Sequence, residues 1–253
     1  MFATIKLKTI KIIMAFCLAL CLLTVNLGGG NIASVYLGSS MRELPIYNVK
    51  TDEKKIAISF DAAWGADKTQ KIMDILKEYN CDATFFLVGF WVEDYPDMAK
   101  KIADSGFEIG THSDTHPDMV KLDKTEMQKE LSSSIEKIKS VTGVSPTLFR
   151  PPYGSYNDDL ILTAKSLGLT TIQWNVDSLD WKGLSQSEIY NRITKKAENG
   201  SIILCHNNAD NICEALPNVL VKLINDGYKF VKISDLIYKD NYTINNNGTQ
   251  IYK

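Results

Sequence analysis

Histidine is scarce in this chain, with three in 253 residues. Any site built on several imidazoles must therefore draw on His112, His116 and His206. Cysteine is nearly as sparse. Cys17 and Cys21 fall in the apolar start, leaving Cys81, Cys205 and Cys213, an odd number that excludes a complete disulfide framework while allowing one bridge. Cys81 and Cys205 adjoin apolar, strand-like runs and read as small buried hydrophobes. There is no excess of positive charge: 28 Lys+Arg stand against 30 Asp+Glu, with a net charge of −2. No basic surface is available to neutralise a phosphate backbone, which excludes nucleic acid as a partner. Glycine and proline number only 15 and 7, and 45% of residues are hydrophobic, which excludes collagen-like and disordered chains.

What is present begins with an address. Lys6, Lys8 and Lys11 precede an apolar run from Ile12 to Leu27, and no charge follows until Arg42. This order of basic, apolar and small residues is that of an export signal. The run is shorter than the ~20 residues a spanning helix needs, although the uncharged residues beyond could extend it. Residues 1–35 are thus expected to be a signal peptide or an N-terminal membrane anchor, placing the rest outside the cytoplasm. Bulky Phe16 and Leu20 argue against lipidation of the cysteines that follow them. Residues 36–53 read as a linker, 54–238 as one domain, and 239–253 as a polar tail expected to fray. Oligomeric state is not assigned by any of these features.

From Lys54 onward, short β-rich runs alternate with stretches of helical period, the pattern of an α/β domain with parallel strands. Strands are expected at 55–60, 83–88, 107–111, 147–150, 170–176, 201–205 and 229–232. Helices are expected near 68–79, 95–105, 124–141, 158–167, 186–199 and 215–226. Asp123 with Glu126, and Ser185 with Glu188, resemble capping pairs at helix starts, and glycines fall where several helices should stop. About seven strands with crossover helices fit a closed or nearly closed (β/α) barrel.

The polar residues follow this frame. Asp61, His112 and His116, Arg150, Asp177 and Asp180, and His206 each follow or close a strand, and such strand ends converge on one rim of a parallel barrel. His112 and His116 are four apart, a spacing that lets both reach one cation from a helical turn or a tight loop. Two neutral imidazoles and a carboxylate leave a position open for water, as in a hydrolytic site. A bound dication would acidify that water and polarise a carbonyl. Asp61 and His206 would then divide the proton transfers.

Five segments carry a resemblance: Ser59-Phe60-Asp61, Thr111 to Pro117 (THSDTHP), Arg150 to Gly154 (RPPYG), Asp177 to Trp181 (DSLDW) and Leu204-Cys205-His206. In order and spacing they resemble the motifs of the polysaccharide deacetylases, the NodB-homology carbohydrate esterases, over roughly Lys54 to Leu236. The resemblance implies a distorted (β/α) barrel that removes N-acetyl groups from amino sugars of a glycan with a divalent metal, commonly zinc. It casts Asp61 as general base, His112 and His116 as metal ligands, and His206 as general acid. Arg150 would pair with the base, since a guanidinium stays charged and grips a carboxylate in a fork. Asp177 would orient the acid histidine, the Tyr153 backbone N–H would meet the oxyanion, and Trp181 and Leu204 would wall the acetyl pocket.

One departure stands out. The family usually follows its base with a second Asp that completes the metal shell, and here Ala62 follows Asp61. Asp67 is the candidate substitute; otherwise Asp61 ligates or water fills the place. The implied partner is an N-acetylated glycan, either peptidoglycan or an N-acetylglucosamine polymer. Two rival readings are a catalytically inactive glycan-binding envelope protein and an amidase acting on a small non-glycan substrate.

Overall fold

The strand Lys55–Ala62 (KIAISFDA, β2) is buried at every position but its first, as a strand covered on both faces must be. The computed structural model describes Arg42–Lys253, with Met14 alone ahead of them, so the expected signal or anchor lies outside the described residues. Before β2 comes the two-residue β1 (Asn48–Val49). After it, strands and helices alternate: α1 (Thr69–Glu78), β3 (Thr84–Leu87), α2 (Gly89–Asp94), α3 (Pro96–Asp104), β4 (Glu108–Thr111), α4 (Lys124–Thr142), β5 (Leu148–Phe149) and α5 (Asp158–Ser166). Then follow β6 (Thr170–Thr171), β7 (Val176–Asp177), α6 (Gln186–Thr194), β8 (Ile202–His206), α7 (Ile212–Asn225), β9 (Lys229–Phe230) and α8 (Ile233–Leu236). The chain closes with β10 (Tyr242–Ile244) and β11 (Thr249–Tyr252).

Seven parallel strands lie in the order β6-β5-β4-β3-β2-β8-β7, with β9 added against the start of β2. This is the expected distorted (β/α) barrel, but one expected strand is divided. In the run 170–176 the start bonds to β5 and the end to β8, at opposite ends of the sheet. Ile172 N–H donates to Phe149 O, whereas Asn175 N–H donates to Ile202 O, so the run crosses the mouth of the barrel. Its β propensity is local and says nothing about which neighbour each half takes. Near the same gap, Ile46 bridges Ile172 and Asn48 bridges Ser201. The expected linker therefore contributes pairing at its end.

The helices obey their signals. Asp123 and Ser185 form complete capping boxes with Glu126 and Glu188. Gly143, at φ 76°, ends α4 in the left-handed conformation that an L side chain resists. Apolar faces of the helices pack on the sheet around Ile58, Phe60, Phe85 and Ile203. Cys81, Cys205 and Cys213 are all buried free thiols. The expectation of a frayed tail is not met. β10 and β11 form a hairpin, and β11 pairs in parallel with β1. Gln250, wholly buried, accepts from Tyr238 N–H at 2.8 Å and donates to Tyr238 O at 2.7 Å. A polar composition concealed these long-range bonds.

Candidate active site

β2 and β8 are neighbours in register, and their final paired residues are Asp61 and His206. Side chains of directly opposed residues on adjacent strands leave the same face of a sheet, so both groups line one cavity of about 590 Å³ with His112, His116, Tyr153 and Trp181. The convergence expected from strand ends is observed.

Arg150 anchors this floor. It is fully buried; its Nη1 donates to Asp61 Oδ1 at 2.8 Å and to Ser59 Oγ at 2.9 Å, and its Nη2 donates to Gln173 O at 3.3 Å. The Phe86 ring lies 4.1 Å from the guanidinium carbon, a cation–π contact in a dry setting. Burial works to raise the Asp61 carboxyl pKa, but the charge and hydrogen bond of Arg150, with the charge of His206, outweigh it and hold the group below its usual 3.8. Asp61 is an ionised carboxylate.

His112 follows β4 and is buried, its Nδ1 2.7 Å from Arg150 O. A carbonyl can only accept, so Nδ1 carries the proton and Nε2 keeps its lone pair. That Nε2 is 3.6 Å from Asp61 Oδ2. Burial drives the His112 pKa down against the pull of Asp61, which keeps the ring neutral. His116 packs edge-on to His112 with ring centres 4.9 Å apart. Burial and the neighbouring His112 push its pKa down to about 4, and its Nδ1 is buried without a hydrogen-bond partner. The pair sits on a tight loop rather than a helix, with Ser113 and His116 both at positive φ. Glu130 of α4 clamps that loop, accepting from Asp114 N–H, Thr115 N–H and Thr115 Oγ1 at 3.0, 2.8 and 2.7 Å.

These donors fit a borderline divalent cation in kind. A lone pair and a carboxylate oxygen face each other, and an orphaned imidazole nitrogen lies nearby, an arrangement a cation would relieve. Among the described residues, no group of three or more His, Cys, Asp and Glu is arranged to enclose an ion. Asp67 does not fill the gap. It is exposed, lies outside the cavity lining, and leaves the capping position of α1 to Lys68. Ala62 is wholly buried in the apolar core. Asp61, whose Oδ2 lies 3.6 Å from His112 Nε2, is the carboxylate that stands beside the histidine pair.

The partner of His206 differs from expectation. Asp180, not Asp177, holds it: Asp180 Oδ1 is 2.7 Å from His206 Nδ1, and Asp180 Oδ2 accepts from His206 N–H at 2.8 Å. Asp177 Oδ1 instead accepts from Leu179 N–H, closing a local turn, though its side chain still borders the cavity. Leu179 sits at φ 51°, and that turn carries Asp180 inward while leaving Asp177 at the strand end. Burial works to lower the His206 pKa, but the Asp180 bond and charge, with Asp61 and Asp177, raise it above 6.5. Nδ1 is engaged, which leaves Nε2 to carry a transferable proton.

The remaining wall follows the sequence reading in part. Leu204 is buried beneath the cavity, whereas Trp181 and Tyr153 stand at its lip, 59% and 68% exposed. Tyr153 has φ 60°, a costly conformation for a bulky residue that commonly marks function. Glu130, Asp180 in its observed role, and Trp64 on the lip were missed as site residues. A glutamate facing the histidine loop from α4 has no local sequence signal.

An ionised carboxylate and a carboxylate-held imidazole thus share one cavity on adjacent strand ends of an α/β barrel. The polysaccharide deacetylase family profile matches residues 48–172. The chain is 34% identical to the peptidoglycan-N-acetylmuramic acid deacetylase PdaA of Bacillus subtilis, over 76% of this chain and 75% of that protein. It therefore belongs to the polysaccharide deacetylase family. It is also 36% identical to the uncharacterized protein YlxY of the same organism, over 81% of this chain, and spans 63% of that protein's length. Among solved structures, BA3943 of Bacillus anthracis, a CE4 family pseudoenzyme, superposes with a TM-score of 0.74 at 35% identity, covering 76% of this chain and 68% of that one.

Proposed function

We propose that this protein is an exported, metal-dependent hydrolase that removes N-acetyl groups from N-acetylhexosamine units of a cell-wall glycan. The observation that carries this reading is the Asp61–His206 register, which sets a base and an acid with opposite pKa shifts on one cavity. Asp61, kept ionised by Arg150, takes a proton from water as its oxygen bonds to the acetyl carbon. The Tyr153 N–H stabilises the oxyanion that results. His206 then delivers a proton from Nε2 to the departing amide nitrogen, the C–N bond breaks, and acetate leaves. Leu204 and Trp181 hold the acetyl methyl. A divalent ion held by His112 and His116, zinc being well suited to such donors, supplies Lewis acidity when bound.

Acetate release from N-acetylglucosamine oligomers and from peptidoglycan tests this reading, with and without chelator, for the parent and for His112→Ala. Chelator and substitution should each abolish release, with zinc restoring only the chelated parent.

A second reading is favoured by Ala62 and the likeness to a pseudoenzyme: a glycan-binding envelope protein that has lost turnover. Equal, negligible release from parent and His112→Ala with metal supplied would put it ahead. The third, an amidase for a small substrate, is disfavoured by the exposed aromatic lip.

A further inference from the structure

Among the described residues, three large exposed aromatic side chains border the cavity: Trp64, Tyr153 and Trp181. Tyr153 and Trp181 belong to segments already assigned. Trp64 does not; it lies in the loop after β2 and is 62% exposed. Leaving an indole in water forfeits hydrophobic stabilisation, and here the exposure is built in. Ala63 and Ala66 on either side are buried. The Gly65 carbonyl accepts from Trp91 Nε1 at 2.7 Å and from Asn207 Nδ2 at 2.8 Å. Gly65 has φ +65°, a conformation that L side chains rarely adopt, so this turn favours glycine. The Trp64 ring also meets the His116 ring edge-on, with centres 4.9 Å apart. The indole is therefore fixed at the lip, close to the reacting centre.

Its surroundings specify the occupant. The cavity lining includes Asp177, Asp180, Asp210 and Asn208 but no lysine or arginine. Lys68, outside the lining, pairs with Asp210 at 3.5 Å, so the wall offers an anion no uncommitted cation and supplies acceptors for hydroxyl groups beside an aromatic face. A neutral, polyhydroxylated ring meets both conditions: its C–H face covers the indole and its hydroxyls donate to Asn208 and Asp210.

We infer that Trp64 is a stacking platform for a neutral sugar ring adjacent to the unit being deacetylated, so the site engages an oligomer rather than a single sugar. This rests on the glycan reading above. It is tested by titrating the full chain with N-acetylglucosamine monomer, dimer and tetramer, in parallel with acetate release. Parent affinity should rise with oligomer length. Trp64→Ala should lose about tenfold for the tetramer, as expected of one aromatic contact, and progressively less as the oligomer shortens. Trp64→Phe should recover most of the loss. Equal tetramer binding by parent and Trp64→Ala, or a loss of the same size at every length, would overturn the inference. Binding that depends on length and on Trp64 without acetate release would sink the deacetylase reading and leave the platform standing. Acetate release that ignores Trp64 would do the reverse.

Discussion

Asp180 grips His206 at two points, through Nδ1 and through the backbone N–H, at 2.7 and 2.8 Å. The first bond fixes the ring's tautomer and the second fixes the strand end that carries it. A carboxylate in this position favours the imidazolium, which is the form a general acid needs.

In the proposed mechanism His206 donates a proton, so activity should fall as pH rises through its raised pKa, above 6.5. Asp180→Asn should move that alkaline limb to lower pH and reduce kcat by two orders of magnitude or so, the typical worth of a general acid. Asp177→Asn should shift it much less. Profiles of kcat/KM against pH decide between them, and a larger effect at Asp177 would restore the role read from sequence.

Arg150 is buried against a buried carboxylate, so Arg150→Met should cost about 3–5 kcal/mol in urea unfolding by leaving Asp61 unpaired. Arg150→Lys should rescue little, because a single ammonium cannot reach Ser59, Asp61 and Gln173 together. Asp61 has a depressed folded pKa, so its contribution is present above 3.8 and lost as pH falls through the folded value. In Arg150→Met that acid-sensitive contribution should shrink, because burial then acts on Asp61 against a smaller opposing charge.

Glu130 holds the loop bearing both histidines without touching either ring. Glu130→Ala should weaken zinc binding 10–100-fold in competition with a chromophoric chelator, the usual effect of removing an outer-shell support. Glu130→Gln, retaining acceptor oxygen, should weaken it less.

The C-terminal hairpin predicts a structural role for residues with no part in the site. Gln250→Ala removes both bonds to Tyr238 and should destabilise the protein by about 2 kcal/mol, read as a lowered Tm. An unchanged Tm would mean the hairpin contributes nothing to the fold.

Much of the site is legible in one dimension because its residues close strands. Asp61, His112, Arg150 and His206 could be placed on one rim without knowing a distance, since strand ends converge in any parallel barrel. The choice between Asp177 and Asp180 was not legible, because both stand in the same five-residue motif and only the Leu179 turn separates their directions. Asp67 failed for a related reason: proximity along the chain does not aim a side chain. Trp64 was visible as a residue, but its exposure was not.

Sequence alone determined the alternation of strand and helix, the capping boxes and the placing of carboxylates and imidazoles at strand ends, because hydrophobic period and turn chemistry act over a few residues. Tertiary structure decided the crossing of residues 170–177 from one end of the sheet to the other, the Asp180–His206 pair, the Glu130 clamp and the ordered tail. Those depend on hydrogen bonds between segments far apart in the chain, and a buried donor or acceptor is satisfied by whichever partner folding brings within reach.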